Sequence, residues 1–511
     1  MVSETRPESI DTTLAYADPS SFRVLHLLGD GLVAFEPIGG TTPAVVPDLA
    51  TSLGTISPDG RTYTFELRPG IRYSNGEVVA PDDFRRALER GFRLDYLPHE
   101  ILYSTLTGAD ACVTAPQACD LSQGITTDDQ AGMITFHLVE PDPEFLYKLT
   151  MPFAYPLPAS ISDSEGARAR RGIPGTGPYM LEAPMTRKVL TLVRNRQFDV
   201  WSAQAQPDGY VDRIEWRFGL KPDAQVEAVE AGDADVALEA SASDLLAEIL
   251  VRFAAQVHAS PAPVTGYFKF GTETAPFNRV EVRRALNYAL DRDRMVQMLG
   301  GPRAGLPTCQ QLPPNFPGYE PYCPYTLNSR PEGEGTWTAP NMGEAQKLVD
   351  RSGTARTKVV LEYTVDTPLD VVDYLVKLLD DLGYRGSARY VPFEQFVRPD
   401  NEFQMASTGW AADYPAASTF INRLRCDATG FSGGFCSPRI DDMIDRATKL
   451  QLEDPAAAGA LWAKIDRAFV DQAPAMWVYN PIAIEFVSER VGNYQWSPQW
   501  TSELLNQLWV Q

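Results

Sequence analysis

The chain has 511 residues, 44% of them hydrophobic, which is too long for one core, since cores stop growing at about 250 to 300 residues, and too apolar for wholesale disorder. Two or more domains are expected. With 45 Lys and Arg against 67 Asp and Glu, the formal charge of −22 opposes phosphate backbones and anionic membrane surfaces, so nucleic acid is not an expected partner.

The start, Met1-Val2-Ser3-Glu4-Thr5-Arg6-Pro7, has neither the basic nor the apolar region of a signal peptide, so an exported chain would have had its leader removed. No apolar run reaches the roughly 18 residues of a membrane-crossing helix. After Pro47-Asp48-Leu49-Ala50, residues 61 to 67 alternate as a strand with Tyr63, Phe65 and Leu67 on one face. Turns follow at Arg68-Pro69-Gly70 and Asn75-Gly76, and Pro81-Asp82-Asp83 opens an amphipathic helix reaching Phe92. A second alternating strand spans 133 to 138, with a helix starting near Phe145.

The Gly- and Pro-rich text from 172 to 178 is loop, leading into strands near 179 to 181, 188 to 194 and 211 to 218, then a helix at 223 to 231 closed by Gly232. The pattern restarts with Tyr267-Phe268-Lys269-Phe270 and a helix over 280 to 290. A strand at 358 to 363, a helix at 369 to 382 and a last helix at 455 to 472 follow, with a strand at 476 to 479. Strand, helix and strand in turn predict an α/β fold with a largely parallel sheet covered on its faces.

Six cysteines fall into three near pairs, Cys112 with Cys119, Cys309 with Cys323 and Cys426 with Cys436. Six thiols allow 15 connectivities; nearest-neighbour pairing, closing short Pro-, Gly- and Asp-rich loops, is the simplest and implies an oxidising compartment. None of the pairs has the Cys-x2-Cys spacing of zinc sites and the four histidines (His26, His99, His137, His258) are scattered, so no metal is expected. With no Gly-x-Gly-x-x-Gly or Walker loop, no nucleotide cofactor is expected either.

Gly430-Phe431-Ser432-Gly433-Gly434 matches the Gly-x-Ser-x-Gly elbow of serine hydrolases, which would make the chain a small-amide or ester hydrolase. It lies, however, inside the Cys426 to Cys436 loop, with Pro438 after it and no His beyond His258. Neighbouring carboxylates such as Asp82-Asp83 and Asp441-Asp442 do not face each other on a helix and read as caps or solvated faces. More informative is Gly409-Trp410-Ala411-Ala412-Asp413-Tyr414-Pro415. A lone carboxylate between aromatics is costly to bury unless paired, and a ligand ammonium is a natural partner; the segment points to capture of a solute, not chemistry on it.

Several segments in order carry a resemblance: Pro47 to Ala50, Tyr63 to Ile71 with Ser74-Asn75-Gly76, Gly175-Thr176-Gly177-Pro178-Tyr179, Pro276-Phe277-Asn278 with Val282 to Leu286 and Asp291-Arg292, and Gly409 to Pro415. Together they resemble family 5 of the bacterial extracellular solute-binding proteins, receptors for dipeptide and oligopeptide ABC importers. The resemblance implies a two-lobed periplasmic-binding-protein-like α/β fold (type II, cluster C-like). The first lobe would comprise 1–40, 163–262 and 484–511, with an extra inserted subdomain at 41–162, and the second lobe 263–483. It implies a monomeric, extracytoplasmic, lipid-anchored receptor, not an enzyme, that closes like a hinge on a peptide and partners membrane permease subunits.

Asp413 would hold the ligand's α-amino group. Trp410 and Tyr414 would wall the cleft with Asn422 nearby, and Tyr16, Ala17 and Asp18 of the Tyr16 to Ser20 loop would line the opposite side. One departure stands out. Some oligopeptide receptors carry Arg two residues before the Gly-Trp pair, where this chain has Ser407; Arg423, Arg425 and Arg439 are the candidates to replace it. Receptors for oligosaccharides, metal chelates and other non-peptide solutes such as aromatic amides remain the alternative.

Overall fold

A computed structural model describes residues 1–16, 19–40, 43–161, 170–314, 316–392, 395, 402–428 and 432–511. The chain divides into two compact units, Met1–His258 with Ile484–Gln511, and Ala259–Ala483. Among the described residues no helix is long and apolar enough to cross a membrane.

In the first unit, the short strand Val2–Ser3 lies between Val236–Ala237 and Arg213–Phe218, parallel to both. The sheet then continues antiparallel through Val189–Arg194 to Tyr179–Leu181. Leu190, Leu192 and Trp216 turn inward from it against Val24, Leu25 and Leu28 of the helix Pro19–Leu28. A separate antiparallel sheet runs in the order Thr55–Ile56, Thr62–Glu66, Met133–His137 and Ile125–Asp128. Its alternation puts Tyr63, Phe65, Ile134 and Phe136 in the core, as the period of two demands. The helix Asp82–Arg93 has acidic residues in its first turn and Arg90 and Arg93 in its last, matching the helix dipole, and buries Phe84, Ala87, Leu88 and Phe92.

In the second unit the main sheet runs in the order Arg385–Tyr390, Lys358–Tyr363, Met405–Ala411, Val264–Phe270 and Ala475–Val487, with Gly305–Pro307 also paired to the last. The first three are parallel, but Val264–Phe270 runs antiparallel to both its neighbours. The largely parallel sheet expected from strand-helix alternation is therefore corrected to a mixed one. A short apolar run fixes that a strand exists but not its direction, which long-range pairing decides.

Alternation divides the core between the two faces. Phe268, Phe270, Met405, Met476 and Val478 pack with the helices Val280–Ala289, Met342–Ser352 and Leu369–Asp381. Tyr267, Ala475 and Trp477 pack with Pro438–Glu453 and Pro455–Gln472. The last helix starts where Asp454 accepts from the Ala457 amide at 3.0 Å with Pro455 in its first turn. At its other end Arg283 and Arg284 take the free carbonyls of Asp471, Gln472 and Ala473, the partners a helix C-terminus lacks. Cys112–Cys119, Cys309–Cys323 and Cys426–Cys436 are each disulfide-bonded.

Candidate functional site

The Gly-Trp pair lies near the end of the strand Met405–Ala411, where Ser407 pairs with Phe268, Gly409 with Gly266 and Trp410 with Thr265. The pleat sends neighbours to opposite faces. Trp410 packs on the cluster that holds Tyr267 and Phe420. The guanidinium of Arg423 lies 3.2 Å from the Trp410 ring centroid, a cation over the negative face of the indole. The helix Ser418–Ile421 and the turn Asn422–Leu424 bring Arg423 back to that ring.

Arg423 contributes to the local field. Burial pushes the Tyr267 hydroxyl up while Arg423 and Thr408 pull it down. Lys269, on the same strand, is lowered to about 8 by burial, opposed by Glu362 and reinforced by Arg423. Of the other two candidate cations, Arg425 is paired with Asp445 at 2.8 Å and Asp427 at 3.4 Å, and Arg439 is exposed in the first turn of Pro438–Glu453. Asp413 follows the strand and is half-buried, Tyr414 is buried and Asn422 is exposed.

On the other face of the same strand, Ser407 and Gly409 border a cavity of about 290 Å³. The segment 364–368 closes one side of it, and the Thr367 and Ser407 hydroxyls share a hydrogen bond of 2.7 Å. Tyr479 crosses the strand at Gly266, where a Cβ would run into its ring. Pattern reading did not assign Asp366, Thr367 or Tyr479 to a site. The one available signal was Gly266 in mid-strand, a mark of close approach.

Tyr16 belongs to the first unit, whereas Trp410, Asp413, Tyr414 and Asn422 belong to the second. The Tyr16 amide donates to the Tyr96 hydroxyl at 3.1 Å and its ring centroid is 5.9 Å from that of Phe153. Phe153 also meets Phe22 edge-on. Ala17 and Asp18 lie outside the described residues. Ser432 is buried and donates to the Ala428 carbonyl at 3.1 Å. All four histidines fall in the first unit, so a Ser-His couple cannot form within the second.

The family model described as bacterial extracellular solute-binding proteins, family 5 Middle, matches residues 44–431. The periplasmic oligopeptide-binding protein OppA of Salmonella typhimurium strain LT2 is 24% identical over 506 residues, 95% of this chain and 88% of that protein. Di/tripeptide-binding protein 2 of Pseudomonas aeruginosa strain UCBPP-PA14 is 24% identical over 520 residues, 97% of this chain and 92% of that one. Among solved structures, the clavulanic acid biosynthesis oligopeptide binding protein 2 superposes with a TM-score of 0.84 at 22% identity, covering 100% of this chain and 94% of that chain, which establishes a shared fold. With the family model spanning most of its length, the chain belongs to the bacterial extracellular solute-binding proteins of family 5.

Proposed function

We propose that this chain is the extracytoplasmic substrate-binding receptor of an ABC importer and captures a peptide or a similar amine- or amide-bearing solute for delivery to a membrane permease. The observation that carries this reading is similarity along almost the whole chain to proteins named for oligopeptide and di/tripeptide binding. The three disulfides support a compartment outside the cytoplasm, and a lipid anchor and a monomeric state complete the proposal.

Asp413 is the anchor for the ligand's ammonium. Its half-buried position next to buried Tyr414 would strengthen a charge-assisted hydrogen bond relative to open water. Trp410 and Tyr414 supply apolar wall, and Tyr16, Ala17, Asp18 and Asn422 are the remaining contact residues. Ser432 is bonded to backbone and serves the Cys426 to Cys436 loop in place of chemistry.

The test is capture of randomised tri- to pentapeptides by the purified protein, identification by mass spectrometry, and calorimetry of the recovered sequences on the parent and Asp413→Asn. Affinity is expected to fall by roughly 1.5 to 3 kcal/mol, the range for a hydrogen bond to a charged group. Unchanged affinity would remove Asp413 from the site.

A further inference from the structure

The cavity beside Ser407 has a wall whose formal charge is of one sign. Asp366 is the sole charged side chain lining it among the described residues. None of Arg423, Arg425 and Arg439 lines it: Arg423 is stacked on Trp410 on the opposite face of the strand, and Arg425 is engaged with Asp445.

The hydroxyls lean the same way. Ser407 and Thr367 bond to each other at 2.7 Å, so of their two hydrogens one is spent on the pair. Each hydroxyl has one hydrogen and two lone pairs, which leaves the pair offering one donor and three acceptor positions. Beside the Asp366 carboxylate, that pair adds more acceptor than donor positions. The rest mixes apolar side chains, Phe268, Met295, Val371 and Val478 among them, with the hydroxyl-bearing Thr364 and Tyr479, and Gly266 makes room for the Tyr479 ring to complete it.

The geometry points to a specificity element: this cavity takes an apolar group that ends in an uncharged or cationic N–H donor, and it disfavours a ligand that places a carboxylate there. This rests on the receptor reading and narrows its ligand class. A free peptide C-terminus in the cavity would face Asp366 with like charge and no cation among the described lining residues, a form of discrimination by repulsion. A carboxamide, an amine or a guanidinium would meet acceptors. The serine two residues before Gly409 is then a determinant of selection, because it sets a neutral hydroxyl in the wall in place of a charge.

The experiment is competitive capture from an equimolar mixture of randomised tri- to pentapeptides, half with free C-terminal carboxylates and half the same sequences as carboxamides, all with free N-termini. Bound peptides are counted by mass spectrometry. Carboxamides should be enriched on the order of tenfold, equivalent to about 1.4 kcal/mol. Asp366→Asn, a change at an exposed position that leaves the core untouched, should reduce the enrichment several-fold, and Ser407→Arg should turn it toward free acids. Equal recovery of both forms, or enrichment of free acids by the parent protein, overturns the inference while leaving peptide capture intact. Recovery of neither form overturns the peptide reading, and this inference with it.

Discussion

Each unit buries an arginine completely, and the two are satisfied in different ways. In the first unit Arg90 makes a two-pronged contact with Asp11, at 2.8 and 2.7 Å, with both side chains at or below 1% exposure. In the second, Arg292 meets neutral oxygens: the carbonyls of Thr308 at 2.8 Å, Trp477 at 2.9 Å and Asn287 at 3.0 Å, and the Asn287 side-chain oxygen at 3.1 Å. Burial lowers Arg292 to about 9, with Tyr374 opposing. The first arrangement joins two elements through opposite charges. The second uses one cation to hold strand, helix end and loop through dipoles, with no carboxylate ion-paired to it among the described residues. Equal burial therefore does not mean equal dependence on a partner.

Breaking the ion pair should be the most damaging change. Arg90→Met leaves Asp11 buried without its countercharge and is expected to destabilise the protein by about 3 to 5 kcal/mol in urea titration. Adding Asp11→Asn, which keeps an acceptor for the Thr13 amide, should recover part of that loss. No recovery would show that packing, not charge, dominates at this position. Arg292→Met removes a cation and orphans carbonyls, a loss of about 2 to 4 kcal/mol at the desolvation cost of unpaired polar groups. Since no ion-paired acid is left behind, no single acid-to-amide change should rescue it.

The smallest effect sharpens the contrast through pH. Asp30 is buried with the Thr176 hydroxyl at 2.7 Å and the Gln206 amide at 3.1 Å, and burial raises it from 3.8 to about 6. Asp48 is raised too, by burial and by Asp30. Between those values the folded chain binds more protons than the unfolded one, so this carboxylate's contribution to stability falls as pH rises from about 4 to 6. His26, lowered to about 4 by burial, acts in the opposite sense, so the parent profile alone is a mixture. The difference between Asp30→Asn and the parent isolates the carboxylate. The variant should gain about 1 to 3 kcal/mol on the parent between pH 4 and pH 7, and a pH-independent difference would dismiss ionisation of Asp30 as its cause.

Local features were legible in the sequence. The helix read as 455 to 472 is observed as Pro455–Gln472, and that read from Asp82 to Phe92 as Asp82–Arg93, because caps and apolar spacing act within a few residues. The three cysteine pairs were legible for the same reason. Strand direction at Val264–Phe270 was not, and neither was the use of Arg283 and Arg284 to close a helix that ends almost two hundred residues later. Trp410, Asp413 and Tyr414 could be read as a group since they adjoin in the chain. The stacking of Arg423 on Trp410 and the meeting of Thr367 with Ser407 depend on packing between distant segments, which no local pattern encodes.

The closeness of the cysteine partners has a consequence for how the chain matures. The bonded residues are 7, 14 and 10 positions apart, and each pair is followed by a long stretch without cysteine before the next. A chain emerging N-terminus first into an oxidising space would present each thiol with its native partner before any wrong one existed. Vectorial delivery alone would then select one of the 15 possible pairings, and correct oxidation would need no later reshuffling.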